Sequence, residues 1–223
     1  MEVSMSDSLF ELLMHQCDAL SEEYAYAPIF IGGIAVYTHG LRAQNPYIET
    51  THDADFYISL EGMQCMRNDK EISQTPRLGK SEWRSKDFSF DIYVEYQSKL
   101  IVPYDEVAGH ALSIGPKRIA CLEHLLALKL EAYLSRHDSE KGNKDARDLV
   151  CIALLSTTEF NPLLCVPYLR DEHLVLLRDL AKHPVLSEMA HRNVVEIKKF
   201  RTAVESLYTK VEAAYNTDEP SPP

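Results

Sequence analysis

The sequence predicts an α+β protein in which a small, mixed and twisted β-sheet is followed by a C-terminal helical bundle. Short apolar and β-branched runs, typical of buried strands, occur in the first half of the chain. From Lys117 onward, apolar residues recur at helical spacing. We therefore expect an α/β domain over residues 1–113, a helical domain over residues 114–216 and a disordered tail over residues 217–223.

The first half is expected to alternate between helices and strands. A helix is predicted where leucines recur on one face, and a second helix is predicted directly after the pair Gly32-Gly33. Residues 61–86 are polar and are expected to form a loop or a short helix. The predicted elements are a helix over 8–20, a strand over 28–31, a helix from Ile34, a strand over 55–60 and a strand over 88–96.

The second half is expected to be helical throughout. Pro116 suits the first turn of a helix, because its missing N–H would have no partner there. The predicted elements are a helix over 117–137, a loop over 139–143, a helix over 144–155 and a last helix over about 194–215.

Composition excludes several classes of protein. The 223 residues include 45% hydrophobic and 26% charged side chains, as in ordinary globular domains. No apolar run approaches the ~18 residues that a membrane span needs. Residues 1–10 lack a basic region followed by an apolar run, so we expect no secretory signal. The five cysteines are widely spaced and form no CxxC pair, so we expect reduced thiols in a cytoplasmic protein without a membrane partner.

The negative charge is concentrated in the first half of the chain. Residues 1–110 hold 8 basic and 18 acidic side chains, whereas residues 111–223 hold 15 and 16. Such an acidic half disfavours nonspecific nucleic-acid binding, which depends on neutralising phosphates. It is suited to gathering cations, although an ordinary solvated surface has the same composition.

The candidate site is an ordered set of residues on successive elements. Gly32 and Gly33 stand at a strand–helix turn, where backbone N–H groups can approach a phosphate. Asp53 and Asp55 are two residues apart on a predicted strand, so their side chains point to the same side. Asp91 lies on the third strand. Three such carboxylates could hold two Mg²⁺ ions at a phosphoryl centre.

The third carboxylate has two candidates. Asp91 and Glu95 have the same parity on the strand, so either could face the site. Asp91 alternates with Phe90 and Ile92, which are expected to face the core. This alternation favours Asp91 without excluding Glu95.

The second half adds a charged set on two predicted helices. Lys129 stands in the middle of an apolar stripe, so it must either extend to the solvent or meet an anion. In the next helix, Asp145 is expected to lie near the N-terminus, where it would favour the helix dipole. Asp148 is four residues after Lys144, a spacing common for surface ion pairs.

As an ordered set, these motifs resemble the nucleotidyltransferase superfamily, and most of all the minimal and abortive-infection-type toxin nucleotidyltransferases of bacterial toxin–antitoxin pairs. The resemblance covers about residues 28–150. It is carried by Gly32-Gly33, Asp53-Ala54-Asp55, Asp91, Lys129 and the segment Lys144-Asp145-Ala146-Arg147-Asp148-Leu149.

The resemblance implies a cytoplasmic enzyme that moves a nucleoside monophosphate from an NTP to a hydroxyl and releases pyrophosphate. Asp53, Asp55 and Asp91 would be the catalytic and metal-binding residues for two Mg²⁺ ions. The implied nucleotide-binding residues are Gly32, Gly33, Lys129 and Asp148, in a cleft between the two domains. The acceptor could be a tRNA end, and an antitoxin protein is an implied partner.

Two other classes of protein compete with this interpretation. One is an aminoglycoside-type enzyme, because a cationic acceptor would be attracted to the acidic half. The other is a non-catalytic binding module with the same fold, against which the three intact acids argue. An RNA acceptor would need a basic surface. The sequence offers two: the cluster Arg67, Lys70, Arg77, Lys80, Arg84 and Lys86, and the cluster from Arg192 to Arg201.

Overall fold

The computed structural model describes residues 5–24, 26–75, 79–85, 87–156 and 159–218. Contacts divide the chain into two units, one formed by Met1–Thr38 with Glu49–Cys121 and the other by His39–Ile48 with Leu122–Pro223. The first unit contains a mixed β-sheet with helices, and the second unit is helical. The predicted fold class is therefore confirmed. Arg77, Lys86 and residues 219–223 of the expected tail lie outside the described residues.

Seven strands form one sheet in the described part of the chain, in the order β3-β4-β5-β2-β1-β7-β6. Strand β2 runs parallel to β5, and β1 runs parallel to β7, while the other neighbours are antiparallel. The strands are β1 Ile29–Ile31, β2 Asp53–Ile58, β3 Ile72–Thr75, β4 Lys80–Arg84, β5 Ser89–Val94, β6 Leu112–Ile114 and β7 Lys117–Ile119.

Nine α-helices are described. The sheet unit holds α1 Met5–Glu23, α3 Leu60–Asp69 and α4 Tyr104–Gly109, and it shares α2 Gly32–Arg42 with the helical unit. The helical unit holds α5 Leu122–Arg136, α6 Glu140–Leu155, α7 Asp171–Leu180, α8 Val185–Met189 and α9 Val194–Asp218. No helix in the described residues is both long and apolar enough to cross a bilayer.

One face of the sheet carries the apolar core of the first unit. Phe56 on β2 and Phe90 on β5 are fully buried, together with Leu13 and Cys17 of α1. Burying a phenylalanine side chain contributes about 1.5–3 kcal/mol to folding, so this face stabilises the unit. Burial also raises the pKa of the Cys17 thiol to about 12, which keeps it protonated. Alternate residues of the same strands point to the opposite face, and these include the predicted acids.

The helical unit is a bundle in which α5 packs on α6, and α9 packs on both α6 and α7. The segment 43–48 belongs to it. There, the Tyr47 ring meets Phe200 edge-on with ring centroids 4.6 Å apart, and the Cys151 thiol donates to the Tyr47 carbonyl at 3.0 Å. All five cysteines lie in the described part of the chain, where none forms a disulfide and only Cys65 is exposed.

The structure corrects the prediction for residues 61–86. The short helix is present as α3, but the polar segment after it forms the antiparallel pair β3 and β4 at the sheet edge. Strand β3 is the edge strand, whereas β4 pairs with both β3 and β5. Where their burial is described, the residues of the two strands are exposed or half-buried, apart from Ser81. The apolar alternation that predicts a strand is therefore missing from this segment.

Two helix starts in the second half are also corrected. The predicted helix over 117–137 begins at Leu122, because Lys117–Ile119 forms strand β7 against β1. The predicted loop over 139–143 is instead the start of α6. Ser139 is its N-cap, and the Ser139 hydroxyl accepts a hydrogen bond from the Gly142 N–H at 3.1 Å. A serine cap of this kind stabilises a helix by about 1 kcal/mol.

Candidate functional site

Two of the predicted acids are neighbours on parallel strands. Asp55 on β2 and Asp91 on β5 are register partners, and Asp53 is the partner of Ser89. Paired residues on adjacent strands point to the same face and lie about 4.8 Å apart across the strands. The carboxylates of Asp53, Asp55 and Asp91 therefore share the face opposite the core.

The turn between β1 and α2 is in close contact with Asp55. Gly32 is the first residue of α2 and has a φ of +68°. A Cβ at this position would lie only 2.4 Å from Asp55 Oδ2, so no larger residue fits without moving the carboxylate. Because the N-terminus of α2 carries the positive end of the helix dipole, it favours the negative charge of Asp55.

Asp53 is held from the segment that precedes its strand. The Thr51 hydroxyl donates to Asp53 Oδ1 at 2.7 Å, and Thr51 is almost completely buried. A Cβ on Gly33 would lie 3.3 Å from the Thr51 side chain. A second set of contacts between α2 and the start of β2 is thus made by Gly33, Thr51 and Asp53.

A lysine from the edge of the sheet reaches the third acid. Lys80 on β4 places its Nζ 2.5 Å from Asp91 Oδ2, and both side chains are about one quarter exposed, at 25% and 23%. The ion pair balances one charge of the acid row. Lys80 was predicted only as part of a basic surface, because strand β4 was not recognised in the sequence.

The acid row continues beyond Asp91. Glu82 on β4 is the register partner of Asp91, and its Oε1 accepts from Arg84 Nε at 2.8 Å and from Ser89 Oγ at 2.9 Å. These contacts hold the pKa of Glu82 below its usual value, with the Arg84 hydrogen bond as the largest cause. Asp55, Asp91 and Glu82 therefore lie side by side on three adjacent strands.

Glu95, the alternative third carboxylate, follows the end of β5. Its Oε2 accepts from the Leu60 N–H at the start of α3, at 3.2 Å. At about 3.3 Å per residue, Glu95 lies roughly 13 Å along the chain from Asp91. The strand register thus places Asp91, rather than Glu95, beside Asp55.

The acids of the sheet unit offer oxygen ligands for a metal ion but do not form a complete cage among the described residues. Among the described residues, no group of three or more His, Cys, Asp or Glu side chains is arranged to hold a metal ion. Mg²⁺, however, is usually bound by one or two carboxylates together with substrate phosphates rather than by a cage of protein ligands. The adjacent oxygen donors of Asp55 and Asp91 fit a Mg²⁺ ion that arrives with a nucleotide.

The predicted lysine belongs to the helical unit and meets anions there. Lys129 on α5 is buried, and its Nζ lies 2.6 Å from Asp148 Oδ2 and 3.1 Å from Asp145 Oδ1 of α6. Arg136 completes the network, with its Nε 2.7 Å from Asp145 Oδ2. Two cations and two carboxylates therefore balance within this network. A contact of Lys129 or Asp148 with nucleotide phosphates stays a prediction.

The roles expected for the two α6 acids are corrected. Asp145 lies beyond the first turn of α6, since the helix begins at Glu140, and its side chain is buried rather than placed as a cap. Asp148 is buried and pairs with Lys129 across the two helices, so it is not the exposed surface acid that its spacing from Lys144 suggested. Asp145 and Asp148 are three residues apart in α6, so both lie on the helix face that meets Lys129 of α5.

The structure brings together the predicted residues of the sheet unit: Gly32, Gly33, Asp53, Asp55 and Asp91. Sequence reasoning missed Glu82, for which the alternation Lys80, Glu82, Arg84 was the only available signal. The pairing of β4 with β5 places Glu82 beside Asp91.

Comparisons with known proteins give limited similarity. No protein-family model matches the chain, and no curated protein matches it. Among solved structures, JHP933 from Helicobacter pylori is 15% identical with a TM-score of 0.47, covering 97% of this chain and 94% of that one. An antigenic nucleotidyltransferase-like protein from Paracoccidioides brasiliensis is 18% identical with a TM-score of 0.46, covering 85% of this chain and 94% of that one. Neither similarity is close enough to assign an activity to this chain.

Proposed function

We propose that this protein is a Mg²⁺-dependent nucleotidyltransferase, which moves a nucleoside monophosphate from an NTP to a hydroxyl acceptor. The observation that carries the proposal is the register pair Asp55 and Asp91, with the N-terminus of α2 at Gly32 against it. Carboxylates beside a helix N-terminus combine metal-binding oxygens with N–H groups that favour phosphate. Asp53, on the same face, adds a third acid.

In the proposed reaction, the acceptor oxygen attacks the α-phosphorus and the bond from that phosphorus to pyrophosphate breaks. The proton of the acceptor hydroxyl passes to Asp91, and pyrophosphate leaves with its negative charge. The N–H groups of Gly32 and Gly33 would bind the triphosphate, while Asp53, Asp55 and Asp91 would hold Mg²⁺. When bound, Mg²⁺ neutralises phosphate charge and orients the triphosphate.

Lys80 affects the role assigned to Asp91. Lys80 Nζ already occupies Asp91 Oδ2, so an acceptor hydroxyl would compete with it for this oxygen. In the proposed reaction, Lys80 therefore turns from Asp91 toward a phosphate when substrate binds. This movement would free Asp91 and supply positive charge in the same step.

The acceptor is either RNA, such as a tRNA end, or a small cationic molecule. The described structure favours the small molecule, because Lys80 and Arg84 of the expected basic surface are paired with Asp91 and Glu82. Each phosphate contact made by RNA needs a cation that can be spared. The toxin role and an antitoxin partner implied by the sequence resemblance belong to the RNA alternative.

The experiment is to incubate the protein with Mg²⁺ and each NTP labelled at the α-phosphate. Total RNA is added in one series, and amine-bearing alcohols are added in another. We expect label to move to one acceptor class with release of pyrophosphate, and the Asp55→Ala variant to transfer none. The proposal is wrong if the wild-type protein releases no pyrophosphate with any NTP and acceptor.

A binding module with this fold is separated from an enzyme by metal titration. If the acids serve Mg²⁺ and nucleotide, calorimetry detects Mg²⁺–NTP binding in wild type and weaker binding in Asp55→Ala. Binding of equal strength in both proteins, with no transfer, would instead support the non-catalytic alternative.

A further inference from the structure

The sheet unit contains a small pocket beyond the acid row. It has a volume of about 170 Å³ and lies between the end of β5 and the start of α4. Its wall includes three tyrosines and two acids, namely Tyr57, Tyr96, Tyr104, Glu95 and Asp105. Tyr57 lies two residues after Asp55 on the same face of β2, and Glu95 directly follows the end of β5.

The aromatic side of the pocket is held in place. Tyr57 donates its hydroxyl proton to the Val102 carbonyl at 2.6 Å, so the ring has a fixed orientation. The ring of Tyr104 meets Tyr57 edge-on, with centroids 6.0 Å apart. Fixed aromatic rings present a negative π face that attracts cations as well as apolar groups.

The acidic side gives the pocket a negative potential. The pKa of the Tyr96 phenol is raised, first by the charge of Asp105 and then by that of Glu95. The field that disfavours a phenolate there favours a cation. Burial raises the pKa of the neighbouring Tyr104, and the positive charge of Arg118 opposes this rise. The Arg118 guanidinium donates to the Ala108 carbonyl at 3.1 Å. Glu95 and Asp105 line the pocket and Arg118 does not, so two negative charges there stand against one positive charge nearby.

We propose that this pocket binds a small organic ammonium ion, whose apolar part packs on Tyr57 and Tyr104 while Glu95 and Asp105 pair with its charge. A cavity of about 150 Å³ is enough for a benzene-sized molecule, so the pocket suits an amine of similar size. The inference concerns binding alone and does not depend on the proposed transferase activity. Its failure would leave the role of Asp53, Asp55 and Asp91 untouched.

The test compares two probes of nearly equal shape, benzylammonium and benzyl alcohol, at pH 7. We expect calorimetry to show benzylammonium binding at least about ten-fold more tightly than the neutral alcohol. Added salt should weaken binding of the ammonium probe only, because it screens the charge. Equal affinities for the two probes in the wild-type protein would overturn the proposal.

Three variants locate the site. Glu95→Gln removes the charge but keeps an oxygen for the Leu60 N–H. Asp105→Asn removes the charge of the exposed Asp105 side chain. Each should weaken benzylammonium by roughly five-fold, and the double variant should bind both probes alike. Glu106→Gln is the control, since Glu106 is also an exposed acid on α4 but does not line the pocket. Unchanged benzylammonium affinity in the double variant would place the cation elsewhere and also overturn the proposal.

Discussion

Gly32 and Asp55 are in such close contact that the turn has no room for a Cβ, which would lie 2.4 Å from Asp55 Oδ2. The contact joins the first residue of α2 to the middle of β2. It fixes where the carboxylate lies relative to the helix N-terminus. The identity of residue 32 therefore controls the geometry of the acid row.

The first prediction separates this contact from backbone strain. Gly32 and Gly115 have similar φ values, +68° and +61°, but a Cβ on Gly115 meets nothing within 4 Å. Both Gly→Ala variants should lose roughly 1–2 kcal/mol through the left-handed backbone. Gly32→Ala should lose at least about 1 kcal/mol more, and its transferase activity, because Asp55 must move. Equal unfolding free energies in urea, with activity kept, would contradict the role of the contact.

The second prediction concerns the acids themselves. Asp55→Ala should abolish transfer while leaving the unfolding free energy without metal unchanged or slightly raised. Removing Asp55 relieves its repulsion with Asp53, which lies two residues away on the same face of β2. Thermal unfolding and a transfer assay check the two parts. A variant that is inactive because it is unfolded would indicate a structural role for Asp55.

The third prediction tests Lys80. Lys80→Met leaves Asp91 beside Asp55 and Glu82 without its cation, so the unfolding free energy should fall by about 1 kcal/mol. Mg²⁺ should restore part of this loss in the variant. Arg84→Met is the matched control, because Arg84 is on the same strand but its side chain is 76% exposed. Unchanged stability of Lys80→Met without metal would contradict the prediction.

The fourth prediction concerns the buried network of the helical unit. Lys129→Met fits an apolar stripe, but it leaves the buried Asp148 without its cation. Breaking a buried pair on one side costs about 3–5 kcal/mol, so this variant should be strongly destabilised. Adding Asp148→Asn should recover part of the loss, because the carboxylate charge is removed. Urea unfolding of the single and double variants measures this coupling, and additive effects would disprove it.

The fifth prediction uses pH. His173 is fully buried; its Nδ1 accepts from the Arg170 N–H at 3.2 Å, so its Nε2–H donates to Glu131 at 2.8 Å. Burial lowers the pKa of His173 below its usual 6.5, although Glu131 opposes the shift. The unfolded chain thus binds the proton more readily. Stability should be complete above about pH 6.5 and fall below it, by up to about 1.4 kcal/mol per pH unit.

His173→Gln is the matched variant for the pH dependence. Glutamine can offer one acceptor and one donor but does not take up a proton in this range. The unfolding free energy of the variant should therefore depend less steeply on pH between 7 and 5. His183, whose pKa is also lowered by burial, remains and contributes its own slope. Identical slopes in the two proteins would exclude His173 as a source.

The sequence was informative where strands are buried on one face. The alternation around Asp91, with Phe90 and Ile92 toward the core, is present in β5, and both apolar residues are fully buried. The same-side placement of Asp53 and Asp55 follows from the two-residue period of a strand. These patterns are local, so a single sequence contains them.

The features that the sequence did not predict depend on contacts between segments that are distant along the chain. Strands β4 and β7 are short and carry lysines, so their sequences lack the apolar run that predicts a strand. The pairing of Lys80 with Asp91 requires knowledge of the strand register. Likewise, the pairing of Lys129 with Asp148 depends on how α5 and α6 pack. Neither relationship leaves a periodic signal in the sequence.

The order in which the strands can pair has a consequence for how the acid row assembles. Strands β4 and β5 are adjacent in the chain and antiparallel, so they can close as a hairpin, which takes microseconds in isolated peptides. Strand β2 joins β5 in parallel, after a crossover through α3, β3 and β4, and such non-local pairing is slower. The Lys80–Asp91 pair thus forms within the hairpin. When β2 docks, Asp55 meets an aspartate whose charge is already balanced, and the chain avoids bringing bare carboxylates together during folding.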